Sequence, residues 1–269
     1  MWEIGELDFL TPLRVLFDFR LFLSGAPFSA AIIAILLSHE MGHYLLCRRH
    51  GIYATLPHFI PVPPPLSPFG TFGALIRIKS AFYNVRQLFD VGVAGPLAGF
   101  VVMIPTLIIG IMQAHEFEGA QGGEFLSFGE PLLFRLAARL FFSGSPDHVG
   151  MNAVTAAAWF GMLATSLNLL PIGQLDGGHI VYALFGPRGH RIVSLATLLA
   201  LAYLGVTMWS GYLFFGALAF FIGFRHPPTM SDRAPLGAGR IALAILALIV
   251  FIVTFMPVPV RIVEDLSGV

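Results

Sequence analysis

Apolar residues are concentrated in six separate stretches of the chain, each bounded by polar, charged or proline-containing segments. These stretches lie near residues 27–47, 88–112, 152–173, 190–208, 211–224 and 240–256. An α-helix needs about 17 to 25 apolar residues to cross a bilayer, and most of the stretches have this length, although the fifth is short. The pattern predicts an all-α polytopic membrane protein with about six transmembrane helices.

Two further stretches have apolar residues at helical spacing but are too polar to span a membrane. Residues 9–24 are expected to lie at the membrane interface. Residues 130–142 place Arg135 and Arg139 on one side of a helix. This second stretch predicts either a helix on the membrane surface or an ordinary packed loop helix.

Composition supports the membrane class and excludes others. The 269 residues are 57% hydrophobic and only 11% charged, and the mean hydropathy is +0.82. The formal net charge is zero, so the chain lacks the basic excess of a nucleic-acid-binding protein, and no nucleic-acid partner is expected. Cys47 is the single cysteine, which excludes an internal disulfide.

Positive charges predict how the chain is oriented. With the N-terminus outside, ten of the fifteen Lys and Arg residues fall in inner segments, as the positive-inside rule requires. Both termini are therefore expected outside, and the first span should end at the cytosolic or equivalent side. The N-terminus lacks a transit-like composition, which favours a prokaryotic cell membrane over a plastid membrane.

His39, Glu40 and His43 stand in the first apolar stretch, where ionisable side chains are costly. On a helix the two histidines project from one face and can bind one metal ion, while Glu40 lies within reach of a metal-bound water. Zinc peptidases use this arrangement to activate water for hydrolysis. The alternatives are a coincidental match, or polar residues that bridge helices or relay protons.

Asp176 is the candidate for the third protein ligand that a catalytic zinc needs. The neighbouring residues that are expected to break the helix are Pro171, Gly173, Gly177 and Gly178. Non-helical backbone at membrane depth is tolerated where it is buried in protein or lines a wet cavity. A carboxylate on such a break suits metal binding, and a helix cap after a span is the alternative.

Several motifs in order resemble the site-2 protease family of intramembrane zinc metalloproteases. They are His39-Glu40-x-x-His43, Asn168-x-x-Pro171 and Leu175-Asp176-Gly177. The segment GVAGPLAGF at 92–100 is similar to the family's glycine-proline motif. The segment FGTFGALIRIKS at 69–80 is similar to its membrane-associated β-hairpin between the first and second spans. The likeness is closest to the compact branch without PDZ or CBS domains.

The resemblance implies a role for each motif residue. One Zn²⁺ would be bound by His39, His43 and Asp176, and Glu40 would be the general base. Asn168 would hold the substrate or stabilise the oxyanion, with a helix-to-helix hydrogen bond as the alternative.

The resemblance also implies one membrane metalloprotease domain over residues 1–269. Its catalytic core would cover about 27–190 and its accessory spans about 190–256. His179 is expected to be structural or to assist beside the metal.

The expected function is that of an intramembrane zinc metalloendopeptidase, which cuts a transmembrane helix of another protein in regulated intramembrane proteolysis. Its partners would be that substrate and the lipid bilayer, and the sequence does not predict an oligomeric state. A protease for prenylated or soluble peptides would need a glutamate on a later span, which the sequence lacks. A metal transporter or binding scaffold with the same ligands is the second alternative, and Glu40 argues against a scaffold.

Overall fold

In a computed structural model of the chain, residues 19–61, 71–117, 123–223, 226–231 and 235–265 are described. Within these ranges the chain is mostly helical. The seven α-helices are α1 (Phe19–Arg49), α2 (Val85–Met112), α3 (Leu132–Phe141), α4 (Ala153–Asn168), α5 (Asp176–Thr207), α6 (Gly211–Gly223) and α7 (Ala238–Thr254). The four strands are β1 (His58–Pro61), β2 (Thr71–Leu75), β3 (Gly123–Phe128) and β4 (Val260–Asp265).

Three of the helices are long and apolar enough to cross a membrane. The stretches concerned are Leu23–Arg49, Val85–Met112 and Asp176–Thr207. Helices α6 and α7 are apolar but shorter, and α4 has 16 residues. The mostly helical membrane architecture is therefore confirmed, while the count of six spans stays a prediction.

Most of the predicted apolar stretches contain one helix, although the third, 152–173, extends past the end of α4 at Asn168. The predicted fourth span, 190–208, is only the second half of α5. Helix α5 changes direction at Gly186, where φ is 69°, just before Pro187. Glycine adopts this positive φ without steric cost. Of the predicted interfacial stretch 9–24, the described part belongs to α1, and residues 9–18 lie outside the described residues.

Helix α3 confirms the helical spacing of the predicted amphipathic stretch 130–142. Phe134, Ala137 and Ala138 are buried in a cluster with residues of α2 and α4. Arg135 and Arg139 are on the exposed side. One face of α3 is therefore packed against the protein.

Asn152 joins the start of α4 to the end of α2. Its side-chain oxygen accepts hydrogen bonds from the N–H groups of Val154 and Thr155, which makes it the N-cap of α4. Its amide nitrogen donates to the carbonyl of Gly110 in α2 at 2.7 Å. The Asn152 side chain thus pairs with backbone N–H groups in the first turn of α4 and also connects α4 to α2.

Strands β1 and β2 form an antiparallel pair between α1 and α2. His58 is opposite Leu75 and Phe59 is opposite Ala74, with an irregularity between Phe59 and Pro61. Strand β2 lies within residues 69–80, where the sequence predicts a hairpin, whereas β1 lies before them. The membrane-associated hairpin therefore stays a prediction.

The second antiparallel pair, β3 with β4, was not predicted, so the expectation of an all-α chain with a single small hairpin was incomplete. Its register runs from Gly123 opposite Asp265 to Phe128 opposite Val260. The two strands are far apart in sequence, so the residue pattern of either segment does not indicate that they pair. Trp159 Nε1 of α4 donates to the carbonyl of Gly129, directly after β3, at 2.6 Å.

Asp90 of α2 connects three helices through one carboxylate. Arg240 of α7 donates to it from Nε and from Nη2, each at 2.7 Å. His50, directly after α1, lies with Nε2 3.0 Å from the same carboxylate. Two parallel hydrogen bonds from one guanidinium give this ion pair a fixed geometry.

We expect Asp90→Asn to lower the free energy of unfolding by about 1.5 to 3 kcal/mol, the usual contribution of hydrogen bonds to charged groups. Thermal unfolding of the purified protein in detergent measures the change. The matched control is Glu130→Gln, because its partner Arg135 is exposed and such ion pairs contribute little. Equal melting temperatures for Asp90→Asn and the control would show that the Asp90 pair is not stabilising.

Candidate metal centre

Helix α1 places His39 and His43 side by side. The two residues are one turn apart, and their Nε2 atoms are 3.1 Å from each other. Both histidines are buried, with exposed fractions of 6% and 7%. The spacing of four residues therefore places both histidine side chains on one face of α1, as the sequence predicts.

Asp176, the first residue of α5, completes the cluster from the other side. Its Oδ2 lies 3.1 Å from His39 Nε2, and its Oδ1 lies 3.3 Å from His43 Nε2. The candidate ligand atoms of the three residues all lie within 4.8 Å of one another. The structure brings the three predicted metal ligands together.

The donor set fits zinc. Ligand bonds of about 2.0 to 2.1 Å in tetrahedral directions require ligand atoms about 3.3 Å apart. The three observed contacts are 3.1, 3.1 and 3.3 Å, and the two that involve Asp176 are made by its two different carboxylate oxygens. Two imidazole nitrogens and one carboxylate oxygen are also ligands that zinc prefers, and three protein ligands leave a position for substrate or water.

His43 is oriented by a backbone group of α2. Its Nδ1 lies 2.7 Å from the carbonyl oxygen of Val91. A carbonyl only accepts hydrogen bonds, so Nδ1 carries the proton and Nε2 keeps its lone pair for a metal. The sequence did not reveal this contact, because Val91 is an ordinary apolar residue.

Glycines of α2 allow α1 to approach closely. A Cβ built at Gly95 would overlap the ring of His43, and one built at Gly99 would lie 3.2 Å from the Cβ of His39. On the other helix, a Cβ at Gly42 would overlap the backbone carbonyl group of Ala94. The glycines of the segment GVAGPLAGF therefore leave space for the side chains of the two histidines.

Glu40 faces the strand pair and is partly buried. Its Oε2 accepts a hydrogen bond at 3.2 Å from the backbone N–H of Ile76, the residue directly after β2. This contact connects the candidate general base to the segment predicted as a hairpin. Nothing in the sequence indicated Ile76.

The chain is not helical between Asn168, the last residue of α4, and Asp176. The predicted break is therefore present, but it ends earlier than expected. Gly177 and Gly178 were predicted to break the helix and instead lie in the first turn of α5. A Cβ at either would overlap backbone carbonyl groups of the preceding turn, so these glycines permit tight packing of the turn against the helix.

Asn168 lies beside the cluster. Its Nδ2 is 3.5 Å from Nε2 of His39, which is the long limit for a hydrogen bond. The structure therefore places Asn168 next to a candidate metal ligand, on the opposite side of the break from Asp176.

His179 lies one turn after Asp176 in α5. Its Nδ1 is 2.7 Å from Nε2 of His226, which lies on the connection between α6 and α7. His226 was missed by the sequence analysis, because a single histidine in a loop carries no periodic signal.

Two buried histidines and a partly buried aspartate on apolar helices, with a glutamate beside them, form a group that could bind a metal ion, as expected of the membrane metalloprotease class. Comparison with known sequences gives the same class: the model of peptidase family M50 matches residues 27–211. The chain belongs to this family, which is the site-2 protease family.

The curated relatives include plant proteins described as probable zinc metalloproteases of the chloroplast. The chain is 30% identical over 257 residues to EGY1 of Oryza sativa subsp. japonica, covering 91% of this chain and 42% of that protein. It is 31% identical over 207 residues to EGY2 of Oryza sativa subsp. indica, covering 76% of this chain and 36% of that protein. The chain thus spans less than half the length of these relatives.

We expect Gly95→Ala to weaken zinc binding, because the added methyl group would displace the His43 ring. Elemental analysis after dialysis against a weak chelator should find much less than one zinc per chain. Gly239→Ala is the matched control, since a Cβ there has nothing within 4 Å. Full zinc occupancy in Gly95→Ala would contradict the assignment of His43 as a ligand.

Proposed function

We propose that this chain is an intramembrane zinc metalloendopeptidase that hydrolyses a peptide bond in or near a transmembrane helix of a membrane-protein substrate. The proposal rests on the cluster of the buried His39 and His43 with the partly buried Asp176, and on Glu40 next to the histidines in the same helix. Family membership over residues 27–211 supports the same activity.

His39, His43 and Asp176 would hold a single zinc ion. When bound, zinc supplies a Lewis acid that polarises a carbonyl and lowers the pKa of water toward neutrality. The protein contributes the geometry: α1 fixes both imidazoles, and the break before α5 fixes the carboxylate. Val91 sets the tautomer of His43 through its carbonyl group.

Glu40 is the proposed general base. Ile76 N–H holds Oε2, so Oε1 is the oxygen that accepts the proton of the attacking water. Glu40 then donates this proton to the leaving amine nitrogen as the peptide C–N bond breaks. The proton that the water loses is thus the proton that the new amine gains.

Asn168 is proposed to hold the substrate carbonyl or to stabilise the oxyanion. Its contact with His39 is at the long limit of a hydrogen bond, which favours this role over that of a strong helix-to-helix bond. The amide nitrogen is a suitable donor to negative charge that develops on the carbonyl oxygen.

The strand pair β1 and β2 is proposed as the membrane-associated hairpin. A substrate helix must unwind before its peptide bond is accessible, and an unwound segment can pair with a strand edge. Support comes from the hydrogen bond between Glu40 and Ile76, because it connects the end of β2 to the catalytic base. A hairpin that only closes the mouth of the site is the alternative.

The six-span topology with both termini outside is also a proposal. Ser231, between α6 and α7, donates from its backbone N–H to the carbonyl of Tyr83, before α2, at 2.8 Å. Strand β3, between α2 and α3, pairs with β4 near the C-terminus. Each contact joins two connections that six spans would put on the same side of a membrane, inner in the first case and outer in the second.

The centre is proposed to face the cytosolic side of a prokaryotic cell membrane, and the chloroplastic relatives support the plastid alternative. We propose one metalloprotease domain with its catalytic core at about 27–190 and accessory helices at about 190–256. The partners would be a transmembrane substrate and the bilayer, with no nucleic acid. A metal transporter or binding scaffold is the alternative function, and Glu40 argues against a scaffold because metal binding alone does not need it.

We expect Glu40→Gln to lower kcat by about 10²- to 10⁴-fold, the usual effect of losing a general base. Cleavage of a model transmembrane substrate by purified protein measures the rate, and elemental analysis should find about one zinc per chain in both variants. His39→Ala is the comparison variant, which should lose zinc as well as activity. If the wild type binds zinc and cleaves no substrate in a broad panel, transport or scaffolding replaces proteolysis as the function.

We expect Asn168→Ala to lower kcat by about 10²- to 10³-fold with zinc content unchanged, as for other lost oxyanion donors. The measurements are steady-state cleavage and the apparent melting temperature. A lower melting temperature with nearly normal kcat would assign Asn168 to helix packing instead.

A further inference from the structure

The break between α4 and α5 leaves backbone groups that a continuous helix would have satisfied. In the apolar environment of a membrane protein such groups need partners within the protein, since each unpaired group is costly. Some are paired locally: Ile172 N–H donates to the carbonyl of Leu170 at 2.8 Å, and Leu175 N–H donates to the carbonyl of Ile172 at 3.1 Å. The carbonyls of Pro171 and Gly173 are paired from outside the turn.

Two buried polar side chains of α5 supply these partners. Ser194 Oγ donates to the carbonyl of Pro171 at 3.1 Å and accepts from the N–H of Gly173 at 3.4 Å. His190 Nε2 lies 3.0 Å from the carbonyl of Gly173 and therefore carries a proton. Ser194 has an exposed fraction of 0% and His190 of 3%.

The kink in α5 separates these side chains from the metal ligand. Asp176 is at the start of the first half, while His190 and Ser194 are in the second half, after Gly186. The two polar residues are four apart and share one face of the helix. The second half of α5 is thus hydrogen-bonded to the turn that precedes the first half of the same helix.

The ring of His190 is itself enclosed. Its centroid lies 5.9 Å from that of Tyr182 and 5.6 Å from that of His226. Tyr182 is 1% exposed, so the side of the His190 ring that faces Tyr182 is packed against a buried side chain. Packing on a buried aromatic ring fixes the direction in which His190 offers its Nε2 proton.

We propose that His190 and Ser194 are positioning residues for Asp176, acting through the backbone of the turn from Pro171 to Gly173. The inference rests on the proposed zinc centre. Gly173 is three residues before Asp176, so a shift of the turn moves the carboxylate relative to the two histidines. Ligand atoms at 3.1 to 3.3 Å have little tolerance for such a shift.

The test compares zinc affinities of purified full-length variants in detergent by competition with a chelator. We expect Ser194→Ala and His190→Ala each to weaken zinc binding by about 10- to 100-fold, as for other groups that orient metal ligands. His190→Gln keeps an N–H donor for the Gly173 carbonyl and should restore most of the affinity.

Thr197→Ala is the matched control. Thr197 is in the same half of α5, but its hydroxyl donates to the carbonyl of Val193 within the helix, at 2.9 Å, and not to the turn before α5 in the described part of the chain. We expect wild-type zinc affinity. The absorption spectrum of bound Co²⁺ is the second readout: it should change in Ser194→Ala and His190→Ala and remain as in wild type in Thr197→Ala.

Wild-type zinc affinity and an unchanged Co²⁺ spectrum in Ser194→Ala would overturn the inference, even if its melting temperature falls, because the hydroxyl would then be only structural. Ser194→Ala is the conservative variant and decides the question if His190→Ala does not fold. If the wild type itself binds no zinc, the proposed function fails, and the inference fails with it. The two failures are therefore distinguishable.

Discussion

Asp176 meets the two histidines because the chain stops being helical for seven residues between α4 and α5. Exposed backbone is costly in an apolar environment, so the break exists only because other parts of the chain satisfy it. His190 and Ser194 bond to the turn, and Gly177 and Gly178 let the first turn of α5 pack against it. The metal centre therefore depends on a local defect that the rest of the fold stabilises.

The histidine side of the centre depends on close packing. Helices α1 and α2 approach each other because Gly42, Gly95 and Gly99 carry no side chain at the contact. The same approach brings the Val91 carbonyl to His43, so one contact between two helices both makes room for the ring and selects its tautomer. Glu40, next to the histidines in α1, is oriented from outside the two helices, because its Oε2 accepts a hydrogen bond from the N–H of Ile76.

The sequence predicted the site better than its surroundings. His39, Glu40 and His43 could be assigned because helical spacing fixes their relative directions, and Asp176 because proline and glycine mark a break. Ile76, His190 and Ser194 could not be found, since their contacts cross 17 or more positions of sequence. The pair β3 and β4 was missed for the same reason. The first half of α5, from Asp176 to the kink at Gly186, was missed because glycines and polar residues interrupt its apolar pattern.

If His39, His43 and Asp176 bind one zinc ion where α1 meets α5, X-ray absorption at the zinc edge of the purified protein should detect these ligands. We expect two imidazole nitrogens and a light-atom shell at about 2.0 to 2.2 Å, without sulfur. Asp176→Asn should alter that shell while the two imidazole signals remain. A sulfur ligand at about 2.3 Å, or a spectrum without imidazole scattering, would contradict it.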